Sequence, residues 1–158
     1  SVAEAIDRFE VSDVQVIWQC GKASYERMKT IIGEKQPEQV HLHEFIRRMD
    51  LAYAAADVIV SRAGAIAISE LCIIGKPVIL VPSPFVAEDH QTKNAMALVS
   101  KEAALLVKDA DAGKELINAV FSLFENEEQQ QKLASNIKQL AKPNATEAIV
   151  DEIEKLIK

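Results

Sequence analysis

The sequence predicts an α/β domain built on a parallel sheet with helices on both faces. Three observations support this fold class. Short β-branched and apolar runs alternate with longer helical segments from residue 14 to residue 124. The run Val78-Ile79-Leu80-Val81 is apolar at every position, as in parallel strands covered on both sides. Residues 65–74 form an apolar helix, which Gly75 ends and Pro77 prevents from continuing.

The first half of the chain repeats the strand–helix unit. Apolar residues at positions 2, 5, 6 and 9 have helical spacing. Residues 14–18 are rich in β-branched and aromatic side chains, which predicts a strand, and residues 23–32 form a helix that ends before Gly33. The next predicted elements are a strand at 40–43, a helix at 49–56 and a strand at 58–61.

The second half continues the alternation and then becomes helical. After the strand at 78–82 come a loop at 83–89, a helix at 90–100 and a strand at 103–107. Three helices follow, at 112–124, 127–141 and 145–157. Asn144, with Glu147 three residues on, has the pattern of a capping box at the start of the last helix.

Length and composition bound the possible functions. The 158 residues are 49% hydrophobic and 27% charged, which is typical of one globular domain and excludes disorder. A net charge of −6 argues against binding to nucleic acid or to a membrane surface through basic residues. No apolar stretch is long enough to span a bilayer, and the two cysteines favour a reducing cytoplasm. The first residues lie within helical spacing and lack a start methionine, so we expect a fragment of a longer protein.

A ligand site is expected beyond the carboxyl ends of the strands, as in other open α/β sheets. The turn Arg62-Ala63-Gly64 joins a strand to a helix, and we expect Gly64 to allow a tight turn. Ala65 and Ala67 leave room at the first helical turn, whose N–H groups and helix dipole favour a phosphate or diphosphate. Simple tight packing explains these small residues equally well.

Three polar side chains nearby have both a binding and a structural interpretation. Glu70, one turn further along the helix, either accepts hydrogen bonds from paired hydroxyls of a ribose or is a solvated surface residue. Gln91 and Asn94 lie three positions apart on one helical face, where their amides suit the hydroxyls of a sugar. Capping of the helix is their alternative role, although Asp89 is placed to supply that cap.

Other candidate sites have structural explanations. Asp109-Ala110-Asp111 matches a metal–nucleotide pattern but is better explained as capping of the helix at 112. His41 and His43 share a strand face without a third ligand for zinc. Cys20 and Cys72 are interpreted as small packing residues. We therefore expect no metal site, no cofactor, and no catalytic role for a lone histidine such as His90.

The combination of several motifs resembles one family. In order, these are His43-Glu44-Phe45-Ile46, Ser61-Arg62-Ala63-Gly64-Ala65 with Ser69-Glu70, Gly75-Lys76-Pro77, and Asp89-His90-Gln91-Thr92-Lys93-Asn94-Ala95. They resemble the MurG family of UDP-N-acetylglucosamine:lipid I N-acetylglucosaminyltransferases, which act in peptidoglycan synthesis. The similarity runs from about residue 14 to the C-terminus.

The resemblance implies that residues 1–158 are the single C-terminal, UDP-sugar-binding domain, a Rossmann-like half of a GT-B glycosyltransferase. In this family Ile46 would hold the uracil. Ala65, Ile66, Ala67, Ile68, Ser69 and Glu70 would receive the diphosphate and ribose, with Glu70 on the ribose. Gln91 would contact the N-acetylglucosamine, with help from Asn94.

The family's Gly-rich phosphate loop and N-terminal acceptor domain are missing from this sequence. The resemblance therefore implies a hexosyltransferase as the full-length protein, with no catalytic residue and no transfer activity in this part. Lipid I would be bound by the missing domain, and the whole protein would lie peripherally on the cytoplasmic face of the inner membrane. Open alternatives are a UDP-N-acetylglucosamine 2-epimerase, half of a partnered glycolipid glycosyltransferase, and a non-catalytic nucleotide sensor.

Overall fold

The structure, a computed structural model, describes residues 2–33, 37–86 and 89–157 as an α/β fold. Within these ranges the strands are β1 (Val16–Gln19), β2 (Val40–His43), β3 (Ile59–Ser61), β4 (Val78–Leu80) and β5 (Leu105–Leu106). The helices are α1 (Ile6–Glu10), α2 (Lys22–Ile32), α3 (Met49–Ala55), α4 (Ala65–Ile74), α5 (His90–Val99), α6 (Ala112–Phe124), α7 (Glu127–Lys138) and α8 (Ala145–Ile157). The fold class predicted from the sequence is confirmed. Residues 87 and 88 of the predicted loop lie outside the described residues.

All described strand pairs are parallel, but they form two groups. Strand β1 pairs with β2, and β4 pairs with β3 on one side and β5 on the other. The sequence predicts a single sheet, whereas the described backbone hydrogen bonds include none between the two groups. Side-chain packing, rather than a continuous ladder, joins them.

The central strand β4 has a separate core on each face. Val78 and Leu80 pack with Leu71 of α4 and Ile137 of α7, while Ile79 faces α6 in the second cluster. All three residues of β4 are fully buried, which explains why the strand is apolar at every position. Burying one such side chain contributes about 1.5–3 kcal/mol, so these contacts fix the position of the strand ends.

Helix α6 links the two groups of strands. Its residue Ile117 belongs to the cluster around β1 and β2, and Leu116, one position earlier, belongs to the cluster beneath β4. Phe121 of α6 stacks on Phe9 of α1, with ring centroids 5.8 Å apart. The guanidinium of Arg8 lies 4.9 Å from the centre of the same ring. Helix α1 is therefore part of the core.

Element boundaries agree best for helices with clear end signals. The bounds of α4, α6 and α8 are those predicted, and Gly75 ends α4 in the left-handed conformation, with φ 67° and ψ 38°. Strand β5 has two residues instead of the predicted five, because Ala103 and Ala104 are buried without pairing in the ladder.

Helix α8 leaves its apolar side chains exposed, Ile149 and Leu156 among them. No helix in the described ranges is long and apolar enough to cross a bilayer.

Candidate functional site

The first turn of α4 offers free backbone donors at the carboxyl ends of the strands. The first hydrogen bond of the helix runs from the N–H of Ile68 to the carbonyl of Gly64, at 2.9 Å. The N–H groups of Ala65, Ile66 and Ala67 have no partner among the described hydrogen bonds, and no side chain caps the helix. These donors coincide with the positive end of the helix dipole, so the turn is chemically suited to an anion.

Gly64 leaves open space in front of this turn. Its backbone is extended, with φ −68° and ψ 147°, which any residue can adopt. The expectation that Gly64 allows a tight turn is therefore wrong: the backbone at this position is extended. A Cβ placed on Gly64 would meet nothing within 4 Å. The absence of a side chain keeps the approach to the α4 donors clear.

Gln91 and Asn94 hold two loops in place beside that turn. The Oε1 of Gln91 accepts hydrogen bonds from the backbone N–H groups of Ser83, at 2.9 Å, and of Ala63, at 3.2 Å. Asn94 donates from Nδ2 to the carbonyl of Ala63 at 3.1 Å. The opposite ends of the two amides, Nε2 of Gln91 and Oδ1 of Asn94, have no partner among the described residues.

Neither amide acts as a helix cap. The residue before α5, Asp89, is left-handed, with φ 54°, and its side chain makes no capping hydrogen bond, so the expected capping by Asp89 is wrong. Gln91 and Asn94 instead connect the loops after β3 and β4 to the start of α5. Each amide keeps one hydrogen-bonding group that has no partner among the described residues.

Glu70 lies on the exposed side of α4, where Tyr53 of α3 faces it. The Tyr53 hydroxyl donates to Oε2 of Glu70 at 3.5 Å. Burial, with a smaller contribution from the charge of Glu70, raises the pKa of the Tyr53 phenol above its ordinary value. An open cavity of about 240 Å³ lies between the two helices; it is lined by Met49, Asp50, Tyr53, Glu70, Ile73 and Ile74.

Ile46 lies in the loop between β2 and α3. Its backbone N–H donates to Oε1 of Gln19 at 2.7 Å. Gln19 is the last residue of β1, so this bond fixes the loop to the end of the neighbouring strand. Local sequence patterns do not indicate this contact, because Gln19 and Ile46 are 27 positions apart in the chain.

Arg62 connects three strand ends. Its Nη1 lies 3.1 Å from the carbonyl oxygen of Val81, 3.4 Å from that of Pro82 and 2.5 Å from Oδ1 of Asp109. The capping role expected for the Asp109–Asp111 segment is wrong: Asp109 pairs with Arg62, and the side chain of Asp111 makes no cap bond to α6. Local sequence patterns do not indicate this ion pair either, because Arg62 and Asp109 are 47 positions apart in the chain.

The described residues contain no cluster of three or more His, Cys, Asp or Glu side chains that is suited to a metal ion. The Nε2 of His41 lies 3.2 Å from Oε1 of Gln15, which gives this histidine a structural partner. Both cysteines are free thiols, and burial raises the pKa of Cys72 and of Cys20.

Comparisons with known proteins agree with one another. The glycosyltransferase family 28 C-terminal domain model matches residues 1–149. A curated relative from Flavobacterium psychrophilum is 52% identical over 156 residues, covering 99% of this chain and 42% of its own length. Another from Parabacteroides distasonis is 49% identical over 157 residues, covering 99% and 43%. Both are named UDP-N-acetylglucosamine–N-acetylmuramyl-(pentapeptide) pyrophosphoryl-undecaprenol N-acetylglucosamine transferase.

Solved structures show the same relationship. The crystal structure of MurG from Acinetobacter baumannii matches with a TM-score of 0.79 and 30% identity, over 98% of this chain and 44% of that one. A glycotransferase of kitacinnamycin shares the fold, with a TM-score of 0.65 and 20% identity over 86% of this chain and 33% of that one. The chain thus spans less than half the length of the relatives that it matches.

Proposed function

Because the chain belongs to the glycosyltransferase family 28 C-terminal domain family, we propose that it binds the donor, UDP-N-acetylglucosamine, for an inverting transferase acting on lipid I. One structural observation carries the proposal. The first turn of α4 presents the uncapped N–H groups of Ala65, Ile66 and Ala67 beside the open space at Gly64. A diphosphate has the charge and the acceptor oxygens that this turn lacks.

The other candidate residues have chemistry that suits the rest of the donor. Glu70 is an exposed carboxylate two turns into α4, able to accept hydrogen bonds from both hydroxyls of a ribose. The unused amide groups of Gln91 and Asn94 suit the hydroxyls and the acetamido group of the sugar. Ile46, in its loop held by Gln19, would contact the uracil. Ile68 and Ser69, which the sequence also assigns to the ligand, have protein partners in the structure: Ile68 packs against the buried cluster around β4, and the Ser69 hydroxyl donates to the carbonyl of Ala65 at 3.0 Å.

The proposed reaction is a single displacement with inversion. A hydroxyl oxygen of the acceptor forms a bond to the anomeric carbon, while the bond from that carbon to the β-phosphate oxygen breaks. The electron pair leaves with UDP, and the acceptor proton goes to a base outside this chain. The donors of α4 would stabilise the charge that develops on the diphosphate, in the role that a metal ion plays elsewhere.

We propose that acceptor binding belongs to the part of the relatives that this chain does not span. The relatives' name specifies an undecaprenol-linked acceptor, which is a membrane lipid, so the whole protein would be peripheral on the cytoplasmic face of the inner membrane. The apolar side chains exposed on α8, such as Ile149 and Leu156, suit a surface that an adjoining part covers.

Titration with three ligands, followed by backbone amide shifts, tests the donor assignment. UDP should shift the amides of Ile46 and of residues 65–70. UDP-N-acetylglucosamine should in addition shift the amide of Gln91, and UDP-glucose should give a smaller change there. Repeating the UDP titration in EDTA should give the same dissociation constant, because no metal is part of the proposal. Shifts confined to residues 112–157, or none at millimolar UDP, would contradict the proposed site.

A further inference from the structure

We propose that Tyr53 is a positioning residue of the donor site: it orients Glu70 so that its carboxylate selects ribose over 2′-deoxyribose. This inference rests on the proposed function, since it assigns the control of one contact within that site. Tyr53 lies outside the segments singled out for ligand contact. Its role follows from where its ring and its hydroxyl lie.

Tyr53 is half-buried beside the core. It packs against the buried cluster that contains Leu71 and Cys72 of α4. Its hydroxyl reaches Oε2 of Glu70 at 3.5 Å. Packing on one side restricts the rotamers of the ring and therefore the position of the hydroxyl.

Glu70 requires a hydrogen-bond donor in a restricted position to orient its carboxylate. Its side chain is exposed, and Tyr53 is its hydrogen-bond partner among the described residues. An unrestrained glutamate loses substantial rotamer freedom when it binds a ligand, and this loss weakens binding. A hydroxyl that donates to one oxygen reduces that loss and leaves Oε1 free for ribose hydroxyls. The distance of 3.5 Å is longer than a tight O–H···O bond, as is common in unliganded sites.

The neighbouring carboxylate does not compete for this role. Both oxygens of Asp50 accept hydrogen bonds from Arg48, at 2.9 Å from Nε and 2.6 Å from Nη2. The remaining cavity lining next to Glu70 is apolar, namely Met49, Ile73 and Ile74. Among the residues that line this cavity, Glu70 is therefore the carboxylate with an oxygen left free for a ligand.

The test is the ratio of the dissociation constants for 2′-deoxy-UDP and UDP, measured by calorimetry. Losing one hydrogen bond to a charged group should make the ratio about 10 in the unmodified chain. Glu70→Ala should bring the ratio close to 1, and Tyr53→Phe should lower it about 3-fold. The double variant should match Glu70→Ala alone, because Tyr53 acts through Glu70. Tyr25→Phe on α2 is the matched control and should leave the ratio unchanged.

Three other outcomes would overturn the inference, and they differ in what they mean for the donor site. If Tyr53→Phe weakens both nucleotides by the same factor, Tyr53 is merely structural and the inference is overturned. If UDP binds without any preference for ribose, the inference fails and the donor site remains. If UDP does not bind the unmodified chain at all, the proposed function fails together with the inference.

Discussion

Arg62 and Asp109, which follow different strands, form an ion pair with Nη1 and Oδ1 only 2.5 Å apart. The same Nη1 also lies 3.1 Å from the carbonyl oxygen of Val81. One guanidinium therefore connects the ends of β3, β4 and β5, at the edge where the donor is proposed to bind. The Asp109 side chain is 29% exposed and that of Arg62 is 56% exposed, so solvent screens this pair substantially but less than a fully exposed pair.

The first prediction is that Asp109→Asn lowers the free energy of unfolding by about 1 kcal/mol, the upper end for a partly exposed pair. The midpoint of thermal unfolding should fall by about 2–4 °C. Asp50→Asn is the matched control, because Asp50 and Arg48 are 63% and 68% exposed and their pair should contribute little. Equal midpoints for the two variants would show that the Arg62–Asp109 pair does not stabilise the strand ends.

The second prediction concerns Glu70 and donor affinity. Glu70→Ala removes hydrogen bonds to a charged acceptor, worth about 1.5–3 kcal/mol, and should raise the dissociation constant for UDP about 10- to 100-fold. Thermal stability should hardly change, because the side chain is exposed. Glu115→Ala on α6, also exposed, is the control. Unchanged UDP binding in Glu70→Ala would identify Glu70 as a solvated surface residue.

The third prediction separates folding from binding with two glycines. Gly75→Ala should cost about 1–2 kcal/mol of stability, because φ is 67° and the new Cβ would lie 3.1 Å from Cδ of Lys138. Gly64→Ala should leave stability within about 0.5 kcal/mol, since the backbone is extended and the space is open. Its methyl group should nevertheless weaken UDP binding. Chemical denaturation of both variants measures the loss of stability, and calorimetry measures their affinity for UDP. A Gly64→Ala protein that binds UDP normally would argue against ligand approach at α4.

The fourth prediction concerns alkaline pH. Burial first, and the charge of Glu70 second, raise the pKa of Tyr53 in the folded state above the ordinary value of about 10 for a tyrosine. Above pH 10 the unfolded chain therefore releases this proton first, so the contribution of Tyr53 to stability is complete below that pH and is lost as pH rises through the folded pKa. Urea unfolding from pH 8 to 11 should show a steeper decline for the unmodified chain than for Tyr53→Phe. Parallel curves would contradict the raised pKa.

The fifth prediction is that the chain folds alone and binds donor without transferring sugar. Its cores are built from its own residues, whereas groups that position the acceptor would lie outside it. Such positioning can lower a barrier by about 7–11 kcal/mol, so turnover should be undetectable without it. UDP release is measured with UDP-N-acetylglucosamine and a soluble lipid I analogue. Acceptor-dependent release would mean that this chain carries an acceptor site of its own.

The sequence predicts the parts of this structure that depend on local signals. Helix α4 has the predicted bounds because Gly75 and Pro77 act within a few residues of its end. Strand β5 is shorter than predicted because apolarity reports burial, which Ala103 and Ala104 share, and not ladder pairing. The division of the strands into two groups also depends on contacts between residues far apart in the chain, so the sequence does not predict it.

The candidate site was predictable by position but not by contact. The rule that ligands lie at strand ends selects Glu70, Gln91 and Asn94, all of which are at or near that edge. The hydrogen-bond and ion-pair partners of the side chains at this edge could not be predicted from the sequence. Tyr53 is 17 positions from Glu70, and Asp109 is 47 from Arg62, so no spacing rule connects them. Packing of whole helices and strands brings such pairs together.

The packing of α1 onto α6 also determines where this domain can be excised from a longer homologue. Because the first predicted strand begins at Val14, the sequence pattern alone would favour starting an expressed domain there. A chain cut there would lack Ile6 and Phe9, which are 5% and 2% exposed, and would uncover Ile117 and Phe121. We therefore expect such a truncation to give an insoluble product, whereas a version that retains α1 should stay in solution.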